Sequence, residues 1–429
     1  MKRIYIALLA GCIFMTTASA QKLTNGGYKE KVLKYSNQIK SAQQNMDAAS
    51  FGTKAAKTNY LPNVSGSGAY NYQFNPAPLS LGGTSIDMKK AGYDAQVGVI
   101  QNIYSGGGVL NQVKAAETQE EIAALAKSQT VESINYQAEI QYWTTSAYSE
   151  MLKVAQKYVT IVGELGSIIR NRFEMGAASK KDQLMVDTRL KEAELQLSYT
   201  TKNYQIAVQN MNILMGEQPS KEIESLDSIS TFISLAPNSP LDSILSNRAD
   251  YQIAEKSISL QKYATKATLS KYYPQLVAGV KETWGTSAIN INGNTRFATI
   301  AFAQLNVPIF NWFQRNKVKS QNVALIQSLE SQKAIVVDNA KSELNNAITS
   351  LKQSYKQMEV SKVNLSYATQ SLELNTYSYE QGRIGILDVL SAQISWMQAY
   401  TNTINAHLSN KIAIASYKKA LGNLNEPNK

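Results

Sequence analysis

The chain is written twice. An offset of 206 carries Gly176, Asp182 and Leu184 onto Gly382, Asp388 and Leu390, Ile103-Tyr104 onto Ile309-Phe310, and Met215-Gly216 onto Leu421-Gly422. A slightly longer offset, 212, carries Tyr60-Leu61-Pro62 onto Tyr272-Tyr273-Pro274. Four landmarks in one order, repeated, mean an internal duplication, and any fold assigned to one half must also suit the other. The reading is a first copy over 21–216, a link over 217–240 and a second copy over 241–429.

Residues 1–20 have the pattern of an export signal. Lys2 and Arg3 are followed by an apolar run from Ile4 to Met15, and Ala18-Ser19-Ala20 is a small-residue cleavage site. Leu9-Ala10-Gly11-Cys12 also fits a lipoprotein cleavage box, and Cys12 is the only cysteine. Once the leader is removed, no disulfide supports the chain, so packing or assembly must hold it. No later segment approaches the run of about 18 apolar residues that a membrane helix needs. A membrane reading therefore requires strands. The formal charge of +11 is spread among Gln, Asn, Ser and Glu, which describes a solvated basic surface. Nucleic acid is not an expected partner.

Proline sets out the architecture. The stretches 79–218 and 309–426 contain none, and proline breaks helix interiors. In the second stretch Val337, Leu344, Leu351, Met358, Leu365, Leu372 and Tyr379 recur at every seventh position, the mark of a long helix packed on neighbours. A weaker series runs from Val131 to Phe173. These patterns predict helices from near Val109 and near Phe313 to the repeated Gly motif, roughly 100 Å long at about 1.5 Å per residue. Shorter helices return over 179–214 and 385–420. A single lead-in helix is expected over 28–58 and another over 240–270.

Before each long helix the pattern changes to alternation, the strand signature. Val64, Gly66, Gly68, Tyr70, Tyr72 and Phe74 form one strand, with its partner over Tyr93 to Ile103. Leu276 to Trp284 and Arg296 to Val307 form the second pair. Pro62 and Pro274 stand where the chain turns into the first strand of each pair, and the loops 75–92 and 286–294 suit an outer rim. Four strands cannot close a barrel, since known spanning barrels need at least about eight, and an open edge in lipid leaves backbone groups unpaired. On a membrane reading, the strands must pair between chains.

At Gly176 and Gly382 a helix reverses, as glycine in the left-handed conformation permits. Ser179 and Gly385 take the next N-cap, and Asp182 and Asp388 fall in the first turn, where the helix dipole favours a carboxylate. That placement alone explains both acids. Alternatively, hairpin tips meeting on an axis would gather them into a ring that binds cations, with Tyr379 packing across neighbouring hairpins to hold the mouth closed.

The ordered, doubled set of motifs resembles the outer-membrane efflux protein family, the TolC-type exit ducts. It comprises the Tyr-x-Pro strand starts, Asn102-Ile-Tyr-Ser-Gly-Gly107 and Pro308-Ile-Phe310, the Gly…Asp tips, Asn247-Arg248-Ala249-Asp250, and the closing Ala420-Leu-Gly-Asn-Leu-Asn425. The resemblance spans essentially the whole chain after the leader. It implies a mainly α, α+β fold in which long hairpins form a periplasmic α-barrel. Four strands per chain would contribute to a twelve-stranded outer-membrane β-barrel in a homotrimer. It implies docking by a periplasmic adaptor at Gly176, Ala177, Ala178 and Ser179 and at Gly382, Arg383, Ile384 and Gly385, with an inner-membrane transporter supplying energy. It assigns the gate to Tyr379, Asp388 and Asp182. Two departures stand out: the family's second acid, three residues beyond Asp388, is Ser391 here, and the tip arginine sits one place early at Arg383.

Other features point to no chemistry. Ser105-Gly-Gly-Gly108 lacks the Lys and Ser/Thr of a phosphate loop, and His407 is the only histidine. No catalytic carboxylate pair, metal or cofactor is expected. Trp284 and Trp312 lie where strands would meet a membrane boundary or the neck of the helical tunnel, as interface anchors or as ordinary packing. A trimeric coiled-coil surface or adhesive protein is the alternative; it would have the helices without the strands.

Overall fold

In a computed structural model, residues 21–225, 227–230, 241–286 and 293–422 are described. The leader 1–20 with Cys12, part of the link over 217–240, most of the loop 286–294 and the closing residues from Asn423 lie outside them. The chain opens with β1 (Gln21–Leu23), α1 (Asn25–Tyr35) and α2 (Asn37–Thr58). It continues through β2 (Asn63–Tyr72), β3 (Leu79–Leu81), β4 (Thr84–Ile86), β5 (Ala91–Tyr104), α3 (Gly108–Glu174), α4 (Lys180–Met215) and β6 (Ile223–Ser225). Then come α5 (Leu241–Asn247), α6 (Ala249–Leu269), a 3-10 turn (Ser270–Tyr272), β7 (Gln275–Thr286), β8 (Thr295–Asn306), α7 (Gln314–Glu380) and α8 (Ile386–Ala420). The two long helices are each 67 residues, within the length that the proline-free stretches predict. Among the described residues no helix is long and apolar enough to cross a membrane.

The lead-in helices differ from expectation: each is broken. Ser36 (φ −48°, ψ 118°) separates α1 from α2. Arg248 (φ −79°, ψ 125°) separates α5 from α6 and grips Asp250 through Nε at 3.1 Å and Nη2 at 2.8 Å. Neither break involves Pro or Gly, so neither shows in a breaker pattern.

The chain forms two compact units, and each draws on both copies. One lies within 1–37, 131–240 and 342–429, the other within 38–130 and 241–341. In the first, Leu344, Leu351, Met358, Leu372 and Tyr379 of the seven-residue series are buried. A second line of small residues, Ala347 and Ser354, is buried beside it. Small side chains bring α8 close: Asn410 Nδ2 donates to Ser354 Oγ at 3.0 Å and Thr403 Oγ1 to Ser361 O at 3.1 Å. In the same unit β1 pairs in parallel with β6. Asp227 Oδ2 accepts from Asn25 N at 2.7 Å and lies 2.8 Å from the Tyr142 hydroxyl, which also reaches Leu23 O at 3.0 Å.

The second unit contains a four-stranded antiparallel sheet in the order β2-β5-β7-β8. The two copies meet at β5–β7, leaving β2 and β8 as open edges among the described residues. Register divides the sheet into two faces. Val64, Tyr70, Tyr72, Tyr93, Val97, Val99, Val280, Trp284, Phe297 and Leu305 share one, interrupted by Glu282, to which the Thr299 hydroxyl donates. Asn63, Ser65, Ser67, Asp94, Gln96, Lys281, Thr283, Arg296 and Gln304 share the other, with Ile100, Ile300 and Phe302 among them. Along β7 the apolar-face residues Val280, Glu282 and Trp284 are exposed, whereas Lys281, Thr283 and Gly285 are half-buried. An apolar face backed by a polar one is the pattern of a strand wall between lipid and a wet lumen. A coiled-coil surface protein would have no such sheet. The loop 75–92 carries the small hairpin β3–β4, turning on Gly82 and Gly83.

Candidate functional site: the hairpin tips

Both tips are built by the same backbone device. In copy one Gly176 takes φ 71°, its N–H donates to Phe173 O at 2.9 Å, and Ala177 N donates to Arg172 O at 2.7 Å. In copy two Gly382 takes φ 72°, donating to Tyr379 O at 2.9 Å, and Arg383 N donates to Ser378 O at 2.9 Å. A left-handed residue past the helix end lets orphan carbonyls be satisfied, and only glycine adopts it without strain. Gly176, Ala177, Ser179, Gly382, Arg383 and Gly385 are exposed, and Ala178 and Ile384 are half-buried.

The following helices start differently. Ser179 caps α4 in a reciprocal box: Asp182 N donates to Ser179 Oγ at 3.1 Å, and Ser179 N donates to Asp182 Oδ2 at 3.2 Å. Gly385 has no side chain with which to cap α8. Asp388 occupies the position of Asp182 but is exposed, and no described residue forms a hydrogen bond with its carboxylate. The dipole position expected of both acids is present in both copies, and the capping bond in one.

Tyr379 lies inside the chain's own pair of hairpins. It is 8% exposed, in a cluster with Leu165 and Ile169 of α3, Val186 of α4, and Ile386, Val389 and Leu390 of α8. Met185 and Ile384 pack against this cluster. Arg172 covers it, with the guanidinium 5.0 Å from the Tyr379 ring centre, Nη1 donating to Tyr379 O at 3.2 Å and Nη2 to Glu380 O at 2.7 Å. A cation at the last carbonyls of a helix meets the negative end of its dipole. Burial pushes the Tyr379 phenol above its usual value, with the Arg172 charge pulling the other way and Asp182 adding to the rise. Arg172 is the residue that the sequence reading passed over. Its signal was asymmetry, since Ser378 stands at its place in copy two.

Pro62 and Pro274 directly precede β2 and β7. Among the described residues no three His, Cys, Asp or Glu come together to hold a metal ion.

A duplicated chain with long helical hairpins, tips turned on glycine and an open-edged sheet with one apolar face fits a channel-forming protein of the envelope. The family model described as "Outer membrane efflux protein" matches residues 30–217 and again 241–423, and the chain belongs to that family. It is a TolC-type outer-membrane efflux channel that extends into the periplasm, a conduit and not an enzyme. The chain is 20% identical over 381 residues to Nodulation protein T of Rhizobium leguminosarum bv. trifolii, covering 86% of this chain and 79% of that one. Its fold is similar to the outer membrane protein VceC of Vibrio cholerae, with TM-score 0.79 and 15% identity over 93% of this chain and 96% of that one. It is also similar to the MtrE channel of Neisseria gonorrhoeae, with TM-score 0.78 and 17% identity over 93% and 89%.

Proposed function

We propose that the protein works as a homotrimer, the passive exit duct of a tripartite efflux or type I secretion machine. The open edges of the sheet carry this reading. Among the described residues strands β2 and β8 each have one partner, and lipid cannot satisfy the backbone groups along their free sides. Three sheets joined edge to edge make a closed twelve-stranded wall. The leader 1–20 is removed on export, and the copies 21–216 and 241–429 are joined by 217–240. Pro62 and Pro274 fix where the strands begin. A periplasmic adaptor docks on Gly176–Ser179 and Gly382–Gly385, whose exposed backbone suits a partner reaching the tips. Tyr379, Asp182 and Asp388 belong to the gate, with Arg172 as its clasp. The inner-membrane transporter supplies the energy.

The test is mass in detergent together with conductance in a planar bilayer. A mass of three chains, with a low conductance that rises when the tips are unclasped by Arg172→Ala, is expected. A single-chain mass, or a conductance indifferent to the tips, overturns the reading. Asp388→Ala should relieve block by multivalent cations, and an unchanged block would return Asp388 to a dipole-only role.

A further inference from the structure

The two strand-to-helix turns share one backbone and differ in what they carry. Copy one turns on Gly106 and Gly107, at φ 60° and 80°, and copy two on Trp312 and Phe313, at φ 46° and 59°. Left-handed backbone is open to glycine and unfavourable for residues with a Cβ. Two bulky residues held there in succession form an outlier that points to a use. In copy one glycine is compulsory. A Cβ on Gly106 would lie 2.6 Å from Ser270 O and 2.8 Å from Tyr273 Cβ, in the turn that leads into β7. In copy two the same direction leads off the edge of the sheet. Trp312 is 85% exposed and Phe313 68%, and both rings meet Phe310, at 5.2 Å and 5.8 Å.

We propose that this aromatic turn is the contact one copy of the chain makes with the next, seated on the Tyr60-Leu61 turn of the partner subunit. We also propose that β8 joins the partner's β2 in the register that β5 already uses on β7. The proposal rests on the trimer reading above. The chain itself supplies the template. Its two strand hairpins are equivalent residue by residue under the repeat offsets: Val64 opposite Val99 becomes Leu276 opposite Leu305, and Tyr72 opposite Ala91 becomes Trp284 opposite Phe297. In the β5–β7 seam Val99 faces Val280, Val97 faces Glu282 and Ala95 faces Trp284. Carried forward by the same offsets, Leu305 faces Gly68 of the partner subunit, Ala303 faces the partner's Tyr70, and Ala301 faces the partner's Tyr72. The apolar face then continues unbroken across the joint.

Tyr60 and Leu61, the counterparts of Tyr272 and Tyr273, are exposed and stand where the template puts the receiving turn. The indole of Trp312 cannot sit as close as Gly106 does. The seam between subunits is therefore wider at its helix-bearing end than the seam within a chain, and the aromatic turn fills the difference.

Cysteine pairs test the register, in a chain carrying Cys12→Ala. Gly68→Cys with Leu305→Cys should oxidise to covalent trimers. Within one chain the two sites lie at opposite edges of the sheet, where Gly68 is level with Phe297 and not with Leu305; three strand spacings of about 4.8 Å alone put them at least about 14 Å apart, beyond the disulfide reach of about 7 Å. Leu305→Cys paired instead with Gly66→Cys or Tyr70→Cys should stay uncrosslinked. Cross-linking in a shifted pair, or a trimer mass without cross-links, overturns the register alone. A single-chain mass in detergent overturns the trimer reading itself. The emission lost on Trp312→Phe reports that indole. It should move to longer wavelength in a Leu61→Ala background and be indifferent to brominated phospholipid. Quenching by the brominated lipid with no response to Leu61→Ala would place Trp312 in the membrane and overturn the seam contact.

Discussion

The two hairpin tips have the same loop and opposite roles. In copy one the loop is flanked by Arg172, which reaches out, and by Ser179, which closes a capping box with Asp182. In copy two the flanking residues are Ser378 and Gly385, which can do neither, and the Tyr379 ring with the carbonyls of Tyr379 and Glu380 is what Arg172 holds. The rings one place further on differ in the same sense. Tyr379 is 8% exposed and its counterpart Phe173 is 38% exposed. Duplication thus supplied two identical turns, and a few substitutions made one the holder and the other the held. The copy-two tip has fewer local hydrogen bonds of its own, so more of what holds it comes from the apolar cluster and from Arg172.

The largest break in this asymmetry is Tyr379→Ala. Truncating a buried aromatic costs about 3 kcal/mol, whereas Phe173→Ala should cost under about 1 kcal/mol at a largely exposed site. Thermal unfolding of the two variants measures the gap, and equal losses would erase the comparison. Next comes Arg172→Ala. Hydrogen bonds to charged groups contribute about 1.5–3 kcal/mol, so the clasped tip should open roughly ten- to a hundredfold more often. Bilayer conductance would show it, and Ser378→Arg added to Arg172→Ala should not restore the closed level, because it stands on the wrong hairpin. Smaller still, Ser179→Ala should cost about 1 kcal/mol through loss of the cap, while Gly385→Ser should gain a few tenths. Hydrogen exchange at the first turns of α4 and α8 reads both.

The smallest effect is one of pH. Burial first, then the charges of Lys411 and Lys362, hold His407 below its ordinary value of 6.5. A depressed histidine favours the neutral form in the folded state, so its contribution is intact above pH 6.5 and is lost as pH falls toward the folded value. The counterpart in copy one is Thr201, which does not titrate. His407→Thr should therefore remove part of the acid-induced fall in melting temperature.

How much of this could be read in the residues depends on the length over which a signal repeats. The helices and the four long strands carry periods of seven and two across many residues, and both hairpin pairs were legible for that reason. Strands β1, β3, β4 and β6 are three residues each, too short for a period to show. The breaks at Ser36 and Arg248 use no breaker residue. The sequence pattern points to Tyr379 as a residue packing across neighbouring hairpins, and it lies against Leu165, Ile169 and Val186 of the copy-one hairpin. Its place between the chain's own hairpins depends on Arg172, 207 positions away in sequence, bonding to backbone carbonyls that have no residue identity to read. Trp312 and Phe313 were visible as aromatics, but their left-handed backbone was not. Only the glycines of copy one announced such a turn.

The pairing of Gln21–Leu23 with Ile223–Ser225 has a consequence for how the chain assembles. Asn25 and Asp227, which fasten it, are separated by 202 positions. Closing so long a loop adds little to the entropic cost, about 0.6 kcal/mol per doubling of length, but contacts this distant form late. A chain arriving from its N-terminus holds its first strand open until the whole of copy one has followed. A fragment ending at Gly216 would carry β1 with nothing to pair it, and one extended to Ser230 would carry both sides of the joint.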